Sequence, residues 1–380
     1  MTLSINPLYS RKTLAHDART RMWPDARFLT SAYGQEILPG IFHYRFDIAG
    51  YDLCDRIDQY VVIDGGEALF FDVGYWEVCG TSALDEVDLL SSCLLSKKSA
   101  FISHFHDDHA GNIPYVEAQG FDAVYHVSRA AFDDAVLRDF VTVTGWSLVS
   151  QELSSGLFHM RNEKDSGESK MLDVSESLEA PEVIGKALWD NNVLASYQGI
   201  VVDDKDCIQV GNRAFEVIKT PGHSPDHASL LEREQGILFG GDHILDAGPG
   251  IIQFAPQQHL VSRYLESLNK LESCNLRAIL PAHNDPYIGE EAVAHILATT
   301  RAFFVKSLDK RLQLVQENPG ASAIEIMMAQ KGREDFLARP LRHRARAVAA
   351  TYAYLEALCD QGKLCRSQGS DGVERFSVME

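Results

Sequence analysis

Within the ten residues from Ser103 to Asn112, Ser-His-Phe-His-Asp-Asp-His-Ala-Gly-Asn, the chain sets His104, His106, Asp108 and His109 inside six positions. In an extended segment side chains alternate with period two, so His104 and His106 emerge on the same side and two imidazoles can meet one ion. After the chain turns, Asp108 and His109 can reach a second ion a few ångströms away, and the cluster reads as half of a two-metal site. Imidazole combined with carboxylate suits zinc, iron or manganese. The cluster contains no cysteine, which argues against a closed structural zinc knuckle. A solvated loop that happens to hold three histidines is the bland alternative, and it predicts no partner segments elsewhere in the chain.

The stretch resembles the His-x-His-x-Asp-His signature of the metallo-β-lactamase superfamily, and partner segments are present in order. Thr220-Pro221-Gly222-His223-Ser224 is similar to that family's second ligand segment, Gly240-Gly241-Asp242-His243 to its third and Leu280-Pro281-Ala282-His283 to its last. Leu69-Phe70-Phe71-Asp72-Val73-Gly74 resembles the strand and turn that precede the first. The resemblance covers about residues 38 to 290. It implies an α/β fold of the αββα sandwich type. His104, His106 and His223 would hold one metal, Asp108, His109 and His283 the other, and Asp242 would bridge both. The cofactors would be two divalent ions, zinc first, with iron or manganese as alternatives because every ligand is nitrogen or oxygen. The implied activity is that of a dinuclear metal-dependent hydrolase using a metal-bridging hydroxide on a small ester, thioester or related acyl substrate. Asp108 would be both ligand and catalytic proton acceptor.

Several neighbours carry two readings. Asp72 either accepts a ring N–H from a ligand histidine, fixing its tautomer, or caps a turn. His227 and His243 adjoin ligand segments without occupying a ligand position. Each could donate to an oxyanion or a substrate carboxylate, or could support and pack. His43, on an expected strand without such neighbours, reads as structural.

The chain has 380 residues and 45% apolar side chains, enough for a large core, and its 35 basic residues against 54 acidic ones give a net charge of −19. That balance disfavours polyanionic partners, since non-specific nucleic-acid binding relies on Lys and Arg neutralising phosphates. The expected partner is a small molecule, and a homo-oligomer stays open. The seven cysteines are scattered without a Cys-x-x-Cys pair, indicating neither a disulfide framework nor a zinc ribbon. No stretch resembles a signal peptide or approaches the ~18 apolar residues of a spanning helix. The expectation is a cytoplasmic protein without a membrane partner.

Residues 1–37 read as an N-terminal extension, 38–290 as the sandwich domain and 291–380 as a helical, winged-helix-like domain. Short alternating runs at Ile41 to Ile48, Tyr60 to Ile63 and Ala68 to Phe71 predict strands, the last two joined at Asp64-Gly65-Gly66. A helix is expected over Thr81 to Leu95 and a strand over Ala100 to Ser103. The interval from about 125 to 200 reads as an inserted helical cap, with a helix at Ser128 to Phe140. Its Trp146, Phe158, Trp189 and Tyr197 either wall a substrate pocket or pack the insertion's own core. Beyond it, Cys207 to Val210 and Ala214 to Lys219 predict a hairpin, and Ala228 to Leu231 and Ile237 to Phe239 continue the second sheet. Gly289 to about Asn318 reads as a long helix, followed by helices at Ser322 to Lys331 and Leu341 to Gln361 and a two-stranded wing.

The tail matches one branch of the superfamily, hydrolases ending in a winged-helix-like domain. Ala282 and Asn284 stand where that branch often has Gly, which bears on the substrate subgroup and not on the metal site. The alternative function is a metal-dependent nuclease acting on RNA or another phosphodiester. Its local support is Arg342, His343, Arg344 and Arg346. Flavodiiron chemistry is disfavoured by His106 in place of a usual Glu, and the best-known zinc β-lactamases by Asp242 near the place of a cysteine.

Overall fold

Gly65 and Gly66, with φ of 58° and 81°, close a two-residue hairpin between strands whose last paired residues are Asp64 and Glu67. Two consecutive positive φ angles suit the right-handed twist of the flanking strands, and glycine adopts them without a Cβ penalty. This hairpin sits within the computed structural model, which describes residues 35–47, 56–74, 95–118, 120–127, 142–146, 199–246, 248–250 and 257–379.

The first sheet runs in chain order through β1 (Gln35–Leu38), β2 (Ile41–Asp47), β3 (Arg56–Asp64), β4 (Glu67–Phe71), β5 (Lys97–Ile102), β6 (Ala123–His126) and β7 (Ile200–Val201). Its strands pair antiparallel as far as β4 and parallel from β4 onward. The second sheet has the order β13 (Tyr287–Ile288), β12 (Ala278–Pro281), β11 (Ile237–Gly241), β10 (Ala228–Glu232), β9 (Arg213–Lys219), β8 (Cys207–Val210). Helices α1 (Asp107–Ala110) and α2 (Ile113–Ala118) follow β5, and α3 (Leu260–Glu272) precedes β12.

Inward side chains of both sheets make one core, in which Leu69, Phe71 and Phe101 meet Phe215, Leu230, Phe239 and Leu280. The Phe239 ring lies 5.5 Å from Phe71 and 6.0 Å from Tyr60, so the two sheets interdigitate face to face. Burying each such aromatic contributes about 1.5–3 kcal/mol, which fixes how the sheet ends meet. That matters because the ligand candidates leave the C-terminal ends of β5, β9, β11 and β12.

The C-terminal part contains α4 (Glu290–Glu317), α5 (Ala323–Lys331), α6 (Arg333–Leu337), α7 (Leu341–Asp360) and the hairpin β14 (Leu364–Gln368) with β15 (Glu374–Val378). The chain divides into two units. The first holds both sheets up to Gly250 and resumes over Glu266 to Arg301; the second includes the described residues 142–146, 257–265 and 302–379. Inside the second unit, Phe304 packs on Tyr264 and Tyr354 with ring centroids 4.4 and 5.9 Å away. The Glu356 carboxylate accepts the backbone N–H groups of Gln257 and His259, both left-handed with φ of 64° and 52°.

Some elements differ from expectation. β1 starts at Gln35, within the stretch read as the extension, and pairs with β2. Tyr125, His126 and Ile200, assigned to the cap, are sheet residues of β6 and β7. The two-residue strands β7 and β13 and the short α6 carry too few residues for a period to show. Trp146 is fully buried, which favours its packing role over a pocket wall. Residues 1–34, the helices expected at Thr81 to Leu95 (Leu95 apart) and Ser128 to Phe140, and Phe158, Trp189 and Tyr197 lie outside the described residues. Among the described residues no helix is long and apolar enough to cross a membrane.

Candidate metal centre

The centre is built from strand ends. Just past β4, Asp72 takes a left-handed φ of 60°, a conformation aspartate tolerates better than most residues. Its N–H donates to the Phe101 carbonyl at 2.8 Å, and the next N–H, of Val73, donates to the His109 carbonyl at 2.9 Å. The turn aims the carboxylate at the residues after β5. Oδ1 accepts the Ser103 N–H at 2.7 Å, while Oδ2 accepts the Ser103 hydroxyl at 2.9 Å and the His109 Nδ1–H at 2.7 Å. Asp72 is thus both turn residue and acceptor for a ring, and its two sequence readings merge.

Hydrogen bonds then fix which nitrogen His104, His109 and His283 turn inward. Because the Ser103 hydroxyl donates its proton to Asp72, it accepts from His104 Nδ1–H at 2.9 Å, leaving His104 Nε2 bare. His283 Nδ1–H donates to the Arg56 carbonyl at 2.8 Å, so its Nε2 is bare as well. The bare atoms converge. His104 Nε2 lies 2.7 Å from His106 Nδ1, which lies 3.0 Å from His223 Nε2, and that atom is 3.5 Å from Asp242 Oδ2. On the other side, His109 Nε2 is 3.7 Å from Asp108 Oδ2 and 3.4 Å from Asp242 Oδ1, and His283 Nε2 is 3.4 and 3.1 Å from the same two oxygens.

Two groups result, His104, His106, His223 with Asp242, and Asp108, His109 with His283. The two Asp242 oxygens face one group each. All seven side chains named from the sequence are brought together in this way. His109 Nε2 and Asp242 Oδ1 are buried and have no hydrogen-bond partner. Buried lone pairs this close repel one another unless positive charge lies between them, so the residues fit divalent cations.

The electrostatics agree. Burial pushes the His104 ring well below an ordinary imidazole, with His109, His106 and His223 adding to the effect, and burial takes His223 down to about 3. Both rings are therefore neutral and able to donate a lone pair at physiological pH. Burial alone would raise the Asp108 and Asp242 carboxyls, but the adjacent His109 and His283 rings hold both below the usual carboxylate range. Burial would likewise lower His109, yet Asp108, Asp242 and Asp72 around it raise it well above an ordinary imidazole. Such a set calls for added positive charge.

His227 is accounted for without substrate. Its Nε2 accepts the Asp242 N–H at 3.1 Å, so Nδ1–H donates to the Thr220 hydroxyl at 2.9 Å. It orients Asp242 through the backbone. Gly241 makes that contact possible, since a Cβ there would lie 2.7 Å from His227 Nε2 on a backbone with φ of 52°. Gly241→Ala should lower stability by about 1–2 kcal/mol from backbone strain alone, measured by denaturant titration, with further loss as His227 is displaced.

His43 has a closer setting than its sequence context suggested. Its Nε2 lies 2.7 Å from the Asp58 carboxylate and its ring stacks on Tyr60. Asp226 was not singled out from the sequence; burial pushes its carboxyl up to about 7, against donation from Ser224 and the Phe105 N–H. Ser103 and Thr220 were also missed as supports, although each hydroxyl opens a ligand segment and could have been suspected on that ground.

A family model described as the metallo-beta-lactamase superfamily matches residues 55–283. The chain is 35% identical over 82 residues to the beta-lactamase-like protein 2 homolog of Caenorhabditis elegans, covering 22% of this chain and 26% of that protein. It is 30% identical over 105 residues to the atrochrysone carboxyl ACP thioesterase of Emericella nidulans, covering 28% and 31%. The matches thus span about a quarter to a third of these relatives. A crystal structure of a metallo-beta-lactamase family protein from Thermus thermophilus shares the fold with a TM-score of 0.60 at 21% identity, over 90% of this chain and 99% of that one.

Proposed function

Because the chain belongs to the metallo-β-lactamase superfamily, as the match over residues 55–283 shows, we propose that it is a dinuclear metal-dependent hydrolase of a small ester, thioester or related acyl compound. The observation that carries the reading is the convergence of seven nitrogen and oxygen donors with Asp242 turned to both groups. His104, His106 and His223 would hold one ion, Asp108, His109 and His283 the other. Two divalent cations there, zinc by preference, would polarise the carbonyl under attack and make water nucleophilic near neutral pH.

The chain's own residues do the rest. Asp108, beside the inward nitrogens of His109 and His283, would accept and orient the proton of the attacking water. Asp72 and the Arg56 carbonyl keep the rings of His109 and His283 in one tautomer each, and Ser103 does the same for His104. The acyl class is supported by the thioesterase named among the relatives. The helices and the β14–β15 hairpin of the second unit fit a winged-helix-like tail, and the acidic balance fits a cytoplasmic enzyme with a small-molecule substrate.

A nuclease reading loses part of its local support, since two of its four residues, Arg344 and Arg346, are buried at 0% and 8% exposure. The test is metal analysis together with a panel of esters, thioesters, phosphodiesters and RNA. Hydrolysis confined to esters and thioesters by a protein carrying two ions per chain is the expected result, with no tight complex with labelled RNA at physiological salt. Turnover confined to phosphodiesters, or nanomolar RNA binding, would overturn it.

A further inference from the structure

Next to the candidate centre lies a group of charges, Arg45 and Asp58 buried and Arg56 and Asp285 partly so, that the hydrolytic reading does not use. Arg45 Nε is 2.7 Å from Asp58 Oδ1 and Arg56 Nε is 3.0 Å from Asp58 Oδ2. The other ends of the same two guanidiniums, Arg45 Nη2 and Arg56 Nη2, meet Asp285 Oδ1 at 2.6 and 3.2 Å. Two cations and two anions balance. Burial pushes His43 below an ordinary imidazole, so it joins the group neutral.

The strand that carries half of this group also grips the segment holding His283. Tyr60 O–H donates to the Pro281 carbonyl at 2.8 Å, the Asp58 N–H to the Ala282 carbonyl at 2.6 Å and Arg56 Nε to the His283 carbonyl at 3.0 Å. Residues 56, 58 and 60, spaced by the strand period of two, thereby hold three successive carbonyls. The Arg56 carbonyl returns the contact by accepting His283 Nδ1–H. His283 comes from the second sheet, whereas His104, His106, Asp108 and His109 follow β5 of the first. This belt is therefore a tie between the two halves of the centre.

We infer that Arg45, Asp58, Arg56 and Asp285 form a positioning device that sets His283 against Asp108 and Asp242. The inference rests on the dinuclear reading and adds residues to it that touch no ion. Asp285 is the informative member, because it lies two positions beyond His283 and answers both arginines. Without its charge the group carries a surplus positive charge beside a cation site, and the end of β12 loses its anchor. Outer partners of metal ligands commonly govern affinity by ten- to a hundred-fold, about tenfold being expected at this distance from the ion.

The test is a titration of the chelator-treated full chain with Co2+ alone, followed by its absorption bands, for wild type, Asp285→Asn and Asp285→Glu. Wild type should take up two ions in two steps, the second at the group with fewer donors, Asp108, His109 and His283. In Asp285→Asn the second step should weaken about tenfold while the first stays within twofold, and Asp285→Glu, which keeps the charge, should recover most of the loss. Arg56→Lys, which keeps charge but not the forked grip, should reproduce the weakened second step and carries the test should Asp285→Asn not fold. Arg213→Met removes the Arg213–Glu232 ion pair at the opposite end of β9 from His223 and should leave both steps unchanged. Two ions in wild type with an unaltered second step in Asp285→Asn, or with both steps falling together, would overturn the positioning role alone. Uptake of a single ion by wild type would overturn the dinuclear reading and this inference with it.

Discussion

Asp242→Asn should give a folded protein that carries fewer ions per chain and has lost at least about a thousandfold of its turnover, on the order of 4 kcal/mol. The backbone should persist, because the contact that orients residue 242 is its own N–H, donated to His227 Nε2, and asparagine keeps it. What changes is charge. Asp242 Oδ1 stands 3.1 Å from His283 Nε2 and Oδ2 stands 3.5 Å from His223 Nε2, so one carboxylate serves both groups. An amide offers one weaker oxygen and turns N–H donors toward a cation. At least one ion should therefore be lost from the purified variant, as measured by metal analysis beside turnover. Retention of both ions with undiminished turnover would remove Asp242 from the centre.

The candidate centre was legible because its donors come in short segments with their own local signals. Four of the seven lie between His104 and His109, His223 and Asp242 each follow a glycine, and His283 comes two residues after a strand end. The major strands were legible for a similar reason, since runs such as Glu67–Phe71 and Cys207–Val210 end at glycine turns. Contacts that join distant parts of the chain leave no such mark. Arg45 and Asp285 are 240 residues apart, and neither sits in a pattern that names the other. His43 was read as structural and is so, but its partner, Asp58, lies on the neighbouring strand of an antiparallel pair whose register the sequence does not print. Arg344 looked like surface charge because a basic run is usually solvated, yet its side chain is buried. Burial of long polar side chains is a tertiary outcome, and composition carries little trace of it.

The same distinction between local and distant contacts makes Asp72 the most informative of the supporting residues. Asp72→Asn should weaken ion binding at the His109 group by about a hundredfold while leaving the fold in place. Asparagine suits the left-handed φ of 60° as well as aspartate does, so the turn after β4 should survive. Its carbonyl oxygen can still accept the Ser103 N–H, now held at 2.7 Å by Oδ1. The other position would then carry an NH2 group. That group cannot accept His109 Nδ1–H, which Asp72 Oδ2 accepts at 2.7 Å, and it favours the tautomer with the proton on Nε2. A proton on Nε2 would sit between His109 and the Asp108 and Asp242 carboxylates, on the atom meant to meet the ion. The loss should appear as a weakened second step in a metal titration, with turnover falling in parallel and recovering as metal concentration is raised. Unchanged affinity would mean that Asp72 serves the turn alone, and that Asp108 and Asp242 suffice to orient His109.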